Sequence, residues 1–441
     1  MLETADLSPR VERALLVGIE MRDSNPGEAQ SLLDELAELV QNLHIGVVAQ
    51  VMAKVREPSP RFFLGKGKAE EVLMQARSQE ADCLVFDFEL SPAQQRNWEK
   101  ESGVTVIDRQ EVILDIFGDR AQTREAVLQV ELARMEYALP RLRGAWSHLS
   151  RQRGGGVTQR GEGEKQIQLD RRMMRDRIAR LKKELETVRQ HRSVQRQKRL
   201  RVPVPTAALV GYTNAGKSSL LNALTGASVQ AEDKLFATLD PTSRRADLPS
   251  GQTIVLTDTV GFVRNLPHNL VDAFKATLEE ALVADFLIHV VDVSNPEAEA
   301  HLATTQSVLK ELGAGERPTL LALNKLDLLE DPHPLELLRA CHPNTYAVSA
   351  HTGEGLEALK DALDACLREL LKPTALLIPH DRYDLVNRLH QAGAVQFEKP
   401  LDAGVYIEGR LPQRLVGPMK PFALNGRRPV GAFESPNGTH D

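Results

Sequence analysis

The stretch Gly211-Tyr212-Thr213-Asn214-Ala215-Gly216-Lys217-Ser218 leaves little freedom in what can surround it. It fits the pattern G-x-x-x-x-G-K-[ST], which works only where a buried strand runs into the start of a helix. The flanks supply that context. Ala207-Ala208-Leu209-Val210 reads as a buried parallel strand, and Ser218 to Ala223 as the first turns of a helix. Glycines let backbone N–H groups close around phosphate oxygens, and the helix N-terminus adds positive potential. Lys217 is then expected to reach the β- and γ-phosphates, and Ser218 to ligate Mg²⁺.

Four further elements follow in order. Phe236-Ala237-Thr238-Leu239-Asp240-Pro241-Thr242 places a threonine about where the mobile switch I threonine of a nucleotide switch sits, so Thr238 is expected on Mg²⁺ and the γ-phosphate. Thr253 to Thr257 reads as a strand ending in Asp258-Thr259-Val260-Gly261. There Asp258 is expected to hold the Mg²⁺ shell through water, and the Gly261 N–H to contact the γ-phosphate. Leu287 to Val293 and Leu320 to Leu323 are further buried strands, the second ending in Asn324-Lys325-Leu326-Asp327. A carboxylate at Asp327 can accept from both N1–H and N2–H of guanine, a pair that adenine lacks, so GTP is the expected substrate. Tyr346-Ala347-Val348 leads to Ser349-Ala350-His351, expected to close over the base. Lys217, Thr238 and Gly261 are the expected catalytic set, and Ser218, Thr238 and Asp258 the metal set. Phe262 takes the place at which Ras-type GTPases carry a water-orienting glutamine, and it can neither donate nor accept a hydrogen bond. Asn214 sits where some related GTPases use an asparagine to help bind K⁺, so K⁺ is a further candidate ion.

These elements need an α/β fold, and 441 residues leave room for more than one domain. The expected division is an N-terminal α/β domain over 1–120, a helical hairpin over 121–200, a G domain over 202–371 and a small α/β appendage over 373–441. In the first, Ala14 to Ile19, Ile45 to Val51, Cys83 to Phe86 and Val104 to Ile107 read as strands, alternating with helices at Ala29 to Val40, Lys68 to Ala76 and Pro92 to Glu101. Gly65-Lys66-Gly67-Lys68 reads as a glycine turn with solvated lysines. In the appendage, Ala375 to Ile378 and Gly404 to Ile407 read as strands flanking a helix at Tyr383 to Gln391, with a loose tail from Pro429.

The hairpin follows from two seams. Leu128, Leu132, Met135, Leu139 and Leu142 step by 4, 3, 4, 3, as do Met174, Ile178, Leu181, Leu185 and Val188. Gly154 to Gly163 between them is too glycine-rich for continuous helix, so it should form a flexible tip. Residues 141–201 hold 19 lysines and arginines against six acids, a net of +13 in a chain of net −6. One strongly basic arm on an acidic protein points to a polyanion, and arginine, which chelates phosphate and stacks on unpaired bases, suits RNA. Three cysteines without a C-x-x-C pair suit a reducing compartment. Met1 to Arg10 lacks an apolar signal-peptide core, and no run approaches a membrane span; cytoplasmic localisation is expected.

Together these motifs resemble the HflX family of bacterial GTPases, over most of residues 1–371. Family-like stretches include Gly65-Lys66-Gly67-Lys68, Ser91-Pro92-Ala93-Gln94-Gln95-Arg96-Asn97, Asp108-Arg109 and Phe236 to Thr242. The resemblance implies a GTP hydrolase that binds the large ribosomal subunit and its rRNA, with some members splitting ribosomes under stress by a hairpin tip that reaches the peptidyl-transferase region. The family tip commonly reads Gly-Pro-Gly-Glu-Thr-Gln, whereas this chain has Gly161-Glu162-Gly163-Glu164-Lys165-Gln166, without the proline and threonine. No DNA partner is expected, and the chain should be monomeric. A role in large-subunit assembly, or as a nucleotide-switched regulator of a protein partner, stays open on sequence alone.

Overall fold

The computed structural model describes residues 11–22, 27–143, 160–199, 204–226, 235–236, 238–265, 281–370, 372–411 and 413–424. The chain divides into two compact units. One comprises Met1–Val188 with Asp233–Asp240 and Arg264–Lys275; the other comprises Arg189–Glu232, Pro241–Val263 and Ala276–Asp441.

In the first unit, strands and helices alternate as their hydrophobic patterns predict: β1 (Arg13–Met21), α1 (Glu28–Asn42), β2 (Gly46–Val55), α2 (Lys66–Ser78), β3 (Cys83–Phe86), α3 (Pro92–Ser102) and β4 (Thr105–Asp108); α4 (Arg109–Arg120) follows, a helix not among those expected. The strands form a parallel sheet in the order β2-β1-β3-β4. Its core includes Leu15, Val17, Leu84, Phe86, Trp98 and Val106. The polar residues among the family-like stretches hold this framework together. Ser91 and Gln94 form a capping box at the start of α3. Asn97 and Trp98 donate to the carbonyls of Arg61 and Phe62. Buried Asp108 caps α4 by accepting from the Glu111 amide, and also accepts from the Leu90 amide and from Arg141. Lys66 and Lys68 pair with Glu70 and Glu71 on their own helix.

The hairpin begins with α5 (Arg124–Ala138) and continues in the 40-residue α6 (Arg160–Arg199). Both predicted seams meet. Leu128, Leu132, Ile178, Leu181 and Leu185 are buried together, with Met135, Leu139, Met174 and Val188 packed against them. Two expectations are corrected. Leu142 does not extend the seam's helix, because Pro140 supplies no N–H for the next turn; Leu142 lies in a separate 3₁₀ turn over Arg141–Arg143. Gly161 to Gly163 belong to α6 rather than to a glycine tip. The penalty of about 1 kcal/mol per helical glycine is small beside the propagation of a long packed helix. Residues 154–159 of the predicted tip lie outside the described residues.

The second unit is built on a six-stranded sheet in the order β10-β9-β8-β5-β7-β6. Its elements are β5 (Thr206–Gly211), α7 (Lys217–Thr225), β6 (Thr242–Asp247), β7 (Thr253–Asp258), β8 (Phe286–Asp292), α8 (Ala298–Glu311), β9 (Thr319–Asn324), α9 (His333–Cys341), β10 (Thr345–Ala347) and α10 (Leu356–Leu370). All neighbours are parallel except β6, which runs antiparallel to β7 and pairs Thr242 with Asp258. Leu209, Leu221, Leu256, Ile288, Ala322 and Leu363 lie in one core on this sheet.

After these come β11 (Lys372–Ile378), α11 (Tyr383–Gln391), β12 (Val395–Leu401), β13 (Gly404–Leu411) and α12 (Gln413–Met419). The strands form an antiparallel sheet in the order β11-β13-β12, with a small core around Ile378, Leu389, Ile407 and Met419. The tail expected from Pro429 lies outside the described residues. Among the described residues no helix is long and apolar enough to cross a membrane.

Candidate nucleotide-binding site

Four of the sequence motifs converge at one end of the six-stranded sheet, because each begins where a strand stops. β5 delivers the loop from Gly211 to Gly216, and α7 starts at Lys217. Gly216 occupies the N-cap position with φ 87, and a Cβ there would meet the Asn324 amide nitrogen at 2.2 Å. Asn214 also lies in the left-handed region, at φ 58. Lys217 is buried and donates to the carbonyls of Tyr212 (2.7 Å) and Gly211 (3.3 Å). Burial lowers its ammonium to about 8, partly opposed by the charge of Asp258. An ammonium held this way gains from any phosphate that replaces its lost hydration.

Asp258 ends β7 with no exposed surface, and its carboxylate accepts from the Ser218 hydroxyl at 2.6 Å. Two oxygen donors that close together suit a small hard cation such as Mg²⁺, which binds through a few protein oxygens and keeps part of its water. Thr259 turns its hydroxyl inward to the Leu209 carbonyl, also at 2.6 Å, so it fixes the turn. Gly261 passes so close to the phosphate loop that a Cβ would meet Thr213 Cα at 2.6 Å and Lys217 Nζ at 3.0 Å. Beside it, the Phe262 amide donates to Gly211 and its carbonyl accepts from the Thr213 amide. The Phe262 ring is buried, so this position stitches the two loops together.

Asn324 links the other two motifs. Its amide donates to the Ala215 carbonyl (2.9 Å) and its oxygen accepts from the Ala350 amide (3.0 Å). Lys325, at φ 64, places its ammonium 2.8 Å from Asp292. Leu326 and Asp327 follow in a 3₁₀ turn. One Asp327 oxygen accepts from the Ser349 hydroxyl at 2.5 Å, and the exposed His351 lies 3.7 Å from the other. The carboxylate is therefore held by Ser349, while His351 is free to swing.

The segment carrying Thr238 belongs to the first unit. Thr238 is half-buried, Phe236 and Leu239 are buried, and the Asp240 carboxylate lies on the start of α5; Ala237 lies outside the described residues. The sequence also leaves several neighbours unannounced. Tyr212 stacks flat on His301 of α8, with centroids 3.7 Å apart and planes 5° apart. His289 of β8 is buried, and burial with the nearby Lys217 charge lowers it to about 3, so it stays neutral. Neither feature leaves a short-range signal, since both join residues far apart in the chain.

Comparisons with known proteins agree along the chain. Family models described as GTP-binding GTPase N-terminal, GTP-binding GTPase Middle Region and 50S ribosome-binding GTPase match residues 30–118, 120–199 and 206–325. A protein named GTPase HflX from Akkermansia muciniphila is 50% identical over 434 residues, spanning 96% of this chain and 99% of its own. GTPase HflX of Escherichia coli (strain K12) is 42% identical over 403 residues, spanning 91% and 94%. The crystal structure of a GTP-binding protein from Sulfolobus solfataricus in complex with GDP matches 82% of this chain and all of its own, at 26% identity and a TM-score of 0.43. With identity of this extent over nearly its whole length, the chain belongs to the HflX family of GTPases.

Proposed function

We propose that this protein hydrolyses GTP to GDP and phosphate with Mg²⁺ bound, and that it does so on the large (50S) ribosomal subunit in the cytoplasm, coupling the nucleotide to ribosome splitting or rescue. The observation that carries the base choice is the Asp327 carboxylate, fixed by Ser349 beside the Asn324 hub. Guanine's N1–H and N2–H would take its two oxygens, with His351 moving aside. The phosphates would take up the Lys217 ammonium and the amides of Asn214 and of Gly216 to Ser218. Ser218 directly and Asp258 through water would hold the metal, and Thr238 would join them in the triphosphate form. A metal held there would supply positive charge against the negative charge that develops on the phosphates. Asn214, whose side chain is half-buried, is the residue through which K⁺ would act.

The ribosomal half of the reading is supported by the basic arm and by the match of residues 206–325 to a family described as 50S ribosome-binding GTPases. It is tested by sedimenting the tagged full chain with 70S ribosomes and with separated subunits, in GDP and in a non-hydrolysable GTP analogue. The expected result is cosedimentation with 50S subunits that is stronger in the analogue, and loss of 70S particles as the protein is added. Accumulation of precursor particles in cells lacking the protein, with intact 70S ribosomes in the assay, would move the role to assembly. No binding to either subunit would refute the ribosomal reading and leave the GTPase intact.

A further inference from the structure

Tyr212 follows Gly211 in the phosphate loop and is held from two sides. Its carbonyl accepts from the Lys217 ammonium (2.7 Å) and from the Ala215 amide (3.3 Å). Its ring lies flat on the imidazole of His301, in the first turn of α8, with centroids 3.7 Å apart and planes 5° apart. Tyr212 is buried, and the His301 side chain is 12% exposed. Parallel rings at this separation touch over their faces, where many small dispersion contacts add up. The main chain of Tyr212 also lies beside Phe262 in an isolated parallel bridge. The first residues of the loop are therefore fixed by groups outside the loop.

The start of α8 is fixed in turn, from the side of the base motif. Asp292 ends β8, and one of its carboxylate oxygens accepts from the Ser294 amide (3.0 Å) and hydroxyl (2.6 Å). Its other oxygen lies 2.8 Å from the Lys325 ammonium. Asn295 continues the turn: its side chain accepts from the Glu297 amide (2.8 Å), and its carbonyl from the Ala298 amide (3.0 Å). The His301 amide then donates to the Glu297 carbonyl, and the imidazole Nε2 lies 3.9 Å from the Glu297 carboxylate. Leu302 and Thr305, on the same helix, are buried. A continuous set of contacts thus runs from Lys325 through this turn and α8 to Tyr212 and Lys217, wholly within the second unit.

We propose that His301 is a positioning residue for phosphate binding: its ring fixes Tyr212, and the Tyr212 carbonyl then keeps the Lys217 ammonium in place. This role rests on the reading of Gly211 to Ser218 as the phosphate site. The physical ground is preorganisation. Lys217 is buried, so its ammonium has lost water, and the carbonyls of Tyr212 and Gly211 stand in for it. A Tyr212 carbonyl that drifted would leave that charge short of a partner, at a cost that a bound phosphate would first have to make good. With Tyr212 already fixed, less of the binding energy goes into ordering the loop. His301 lies in none of the sequence motifs and acts through Tyr212. The Lys325–Asp292 pair sets where α8 begins, so the strand end beside the base motif delivers the imidazole to the phosphate loop.

The experiment uses the full chain with His301→Leu, His301→Phe, Tyr212→Leu, the His301→Leu/Tyr212→Leu double variant and Lys217→Ala. Each is titrated with fluorescent GDP and a fluorescent non-hydrolysable GTP analogue, and melted with and without GDP. His301→Leu fills the space without a flat ring. It should weaken both nucleotides about tenfold, the scale of one aromatic pair, and reduce the rise in melting temperature that GDP produces. His301→Phe restores a flat ring and should recover most of the affinity. Tyr212→Leu should cost about as much as His301→Leu, and the double variant little more than either, because both remove one contact. Tyr212→Leu removes the same stack from the other side, so it decides the matter if His301→Leu does not fold. If Lys217→Ala leaves GDP binding intact, the phosphate reading fails and the positioning role falls with it. If Lys217→Ala weakens GDP binding while His301→Leu or Tyr212→Leu binds as the unmutated protein does, the positioning role alone is overturned. Equal losses in His301→Phe and His301→Leu, or additive losses in the double variant, overturn it as well, because the stack would not be what acts.

Discussion

Both oxygens of Asp327 already have neighbours: the Ser349 hydroxyl bonds one, and His351 lies near the other. The two differ in kind. Ser349 is buried and fixed by the Thr352 amide, so it serves to orient the carboxylate. His351 is exposed and can leave without opening a cavity. Replacing Asp327 by asparagine keeps the shape and reverses one donor–acceptor pair. We expect Asp327→Asn to lose guanine nucleotide affinity by roughly 2 kcal/mol or more, since a charged hydrogen-bonded partner is removed and a donor then faces N1–H or N2–H. Xanthine nucleotides, which carry a carbonyl where guanine carries the amino group, should gain. Titration with GDP and xanthosine diphosphate reads both effects, and unchanged GDP affinity would remove Asp327 from the base site. The motif residues themselves were legible because each motif is a short spacing at a strand end. Their partners were not. The Asn324 bridge from Ala215 to Ala350, the Tyr212–His301 stack and the Lys325–Asp292 pair join positions from separate elements, and no local pattern encodes them.

At the scale of elements, periodicity read well wherever one face was apolar. The four parallel strands of the first unit and the seam of the hairpin follow from it directly. It failed for β6 and β12. The first reads Thr-Ser-Arg-Arg-Ala-Asp and buries only Ala246; the second carries Glu398, Lys399 and Pro400. Both are sheet edges, where charge and proline guard against stray pairing, so the composition that suits them hides them from a hydrophobic pattern. The arm shows a further distinction. Its arginines look alike in sequence, yet Arg177 clasps Glu131 across the seam and Lys182 pairs with Glu136. Arg172, Arg175, Arg180 and Lys183 are exposed. These four are the ones we expect to meet a polyanion. Changing them all to alanine should weaken ribosome binding and flatten its salt dependence, by about 0.7–0.9 in log–log slope for each phosphate that is no longer neutralised. Arg177→Ala should instead loosen the hairpin, lowering thermal stability with little change of slope. Equal slopes for the fourfold variant and the unmutated protein would make the arm an ordinary solvated helix.

At the scale of the whole molecule, the site has the means to bind a triphosphate but lacks one means of cleaving it. Lys217, Ser218, Asp258 and Gly261 are gathered by strand ends within one unit. The position after Gly261 is Phe262, whose ring is buried and whose main chain is bonded to the phosphate loop. It cannot orient an attacking water, nor can it easily be replaced there, because a polar side chain would enter an apolar, close-packed place. Hydrolysis by the free protein should therefore be slow while nucleotide binding is intact. Supplying the missing group from a partner can be worth about 10³–10⁵ in rate, which sets the upper scale; ordering the segments around Thr238 and Gly261 would give less. Single-turnover hydrolysis with and without purified 50S subunits measures the gain. A fast free rate with no stimulation would show that another residue of this chain replaces the glutamine. Where stimulation is found, the fourfold arm variant should lose it at low subunit concentration and recover it at saturation, because the arm contributes binding and the chemistry lies elsewhere. Failure to recover at saturation would mean that the arm also acts on the transition state.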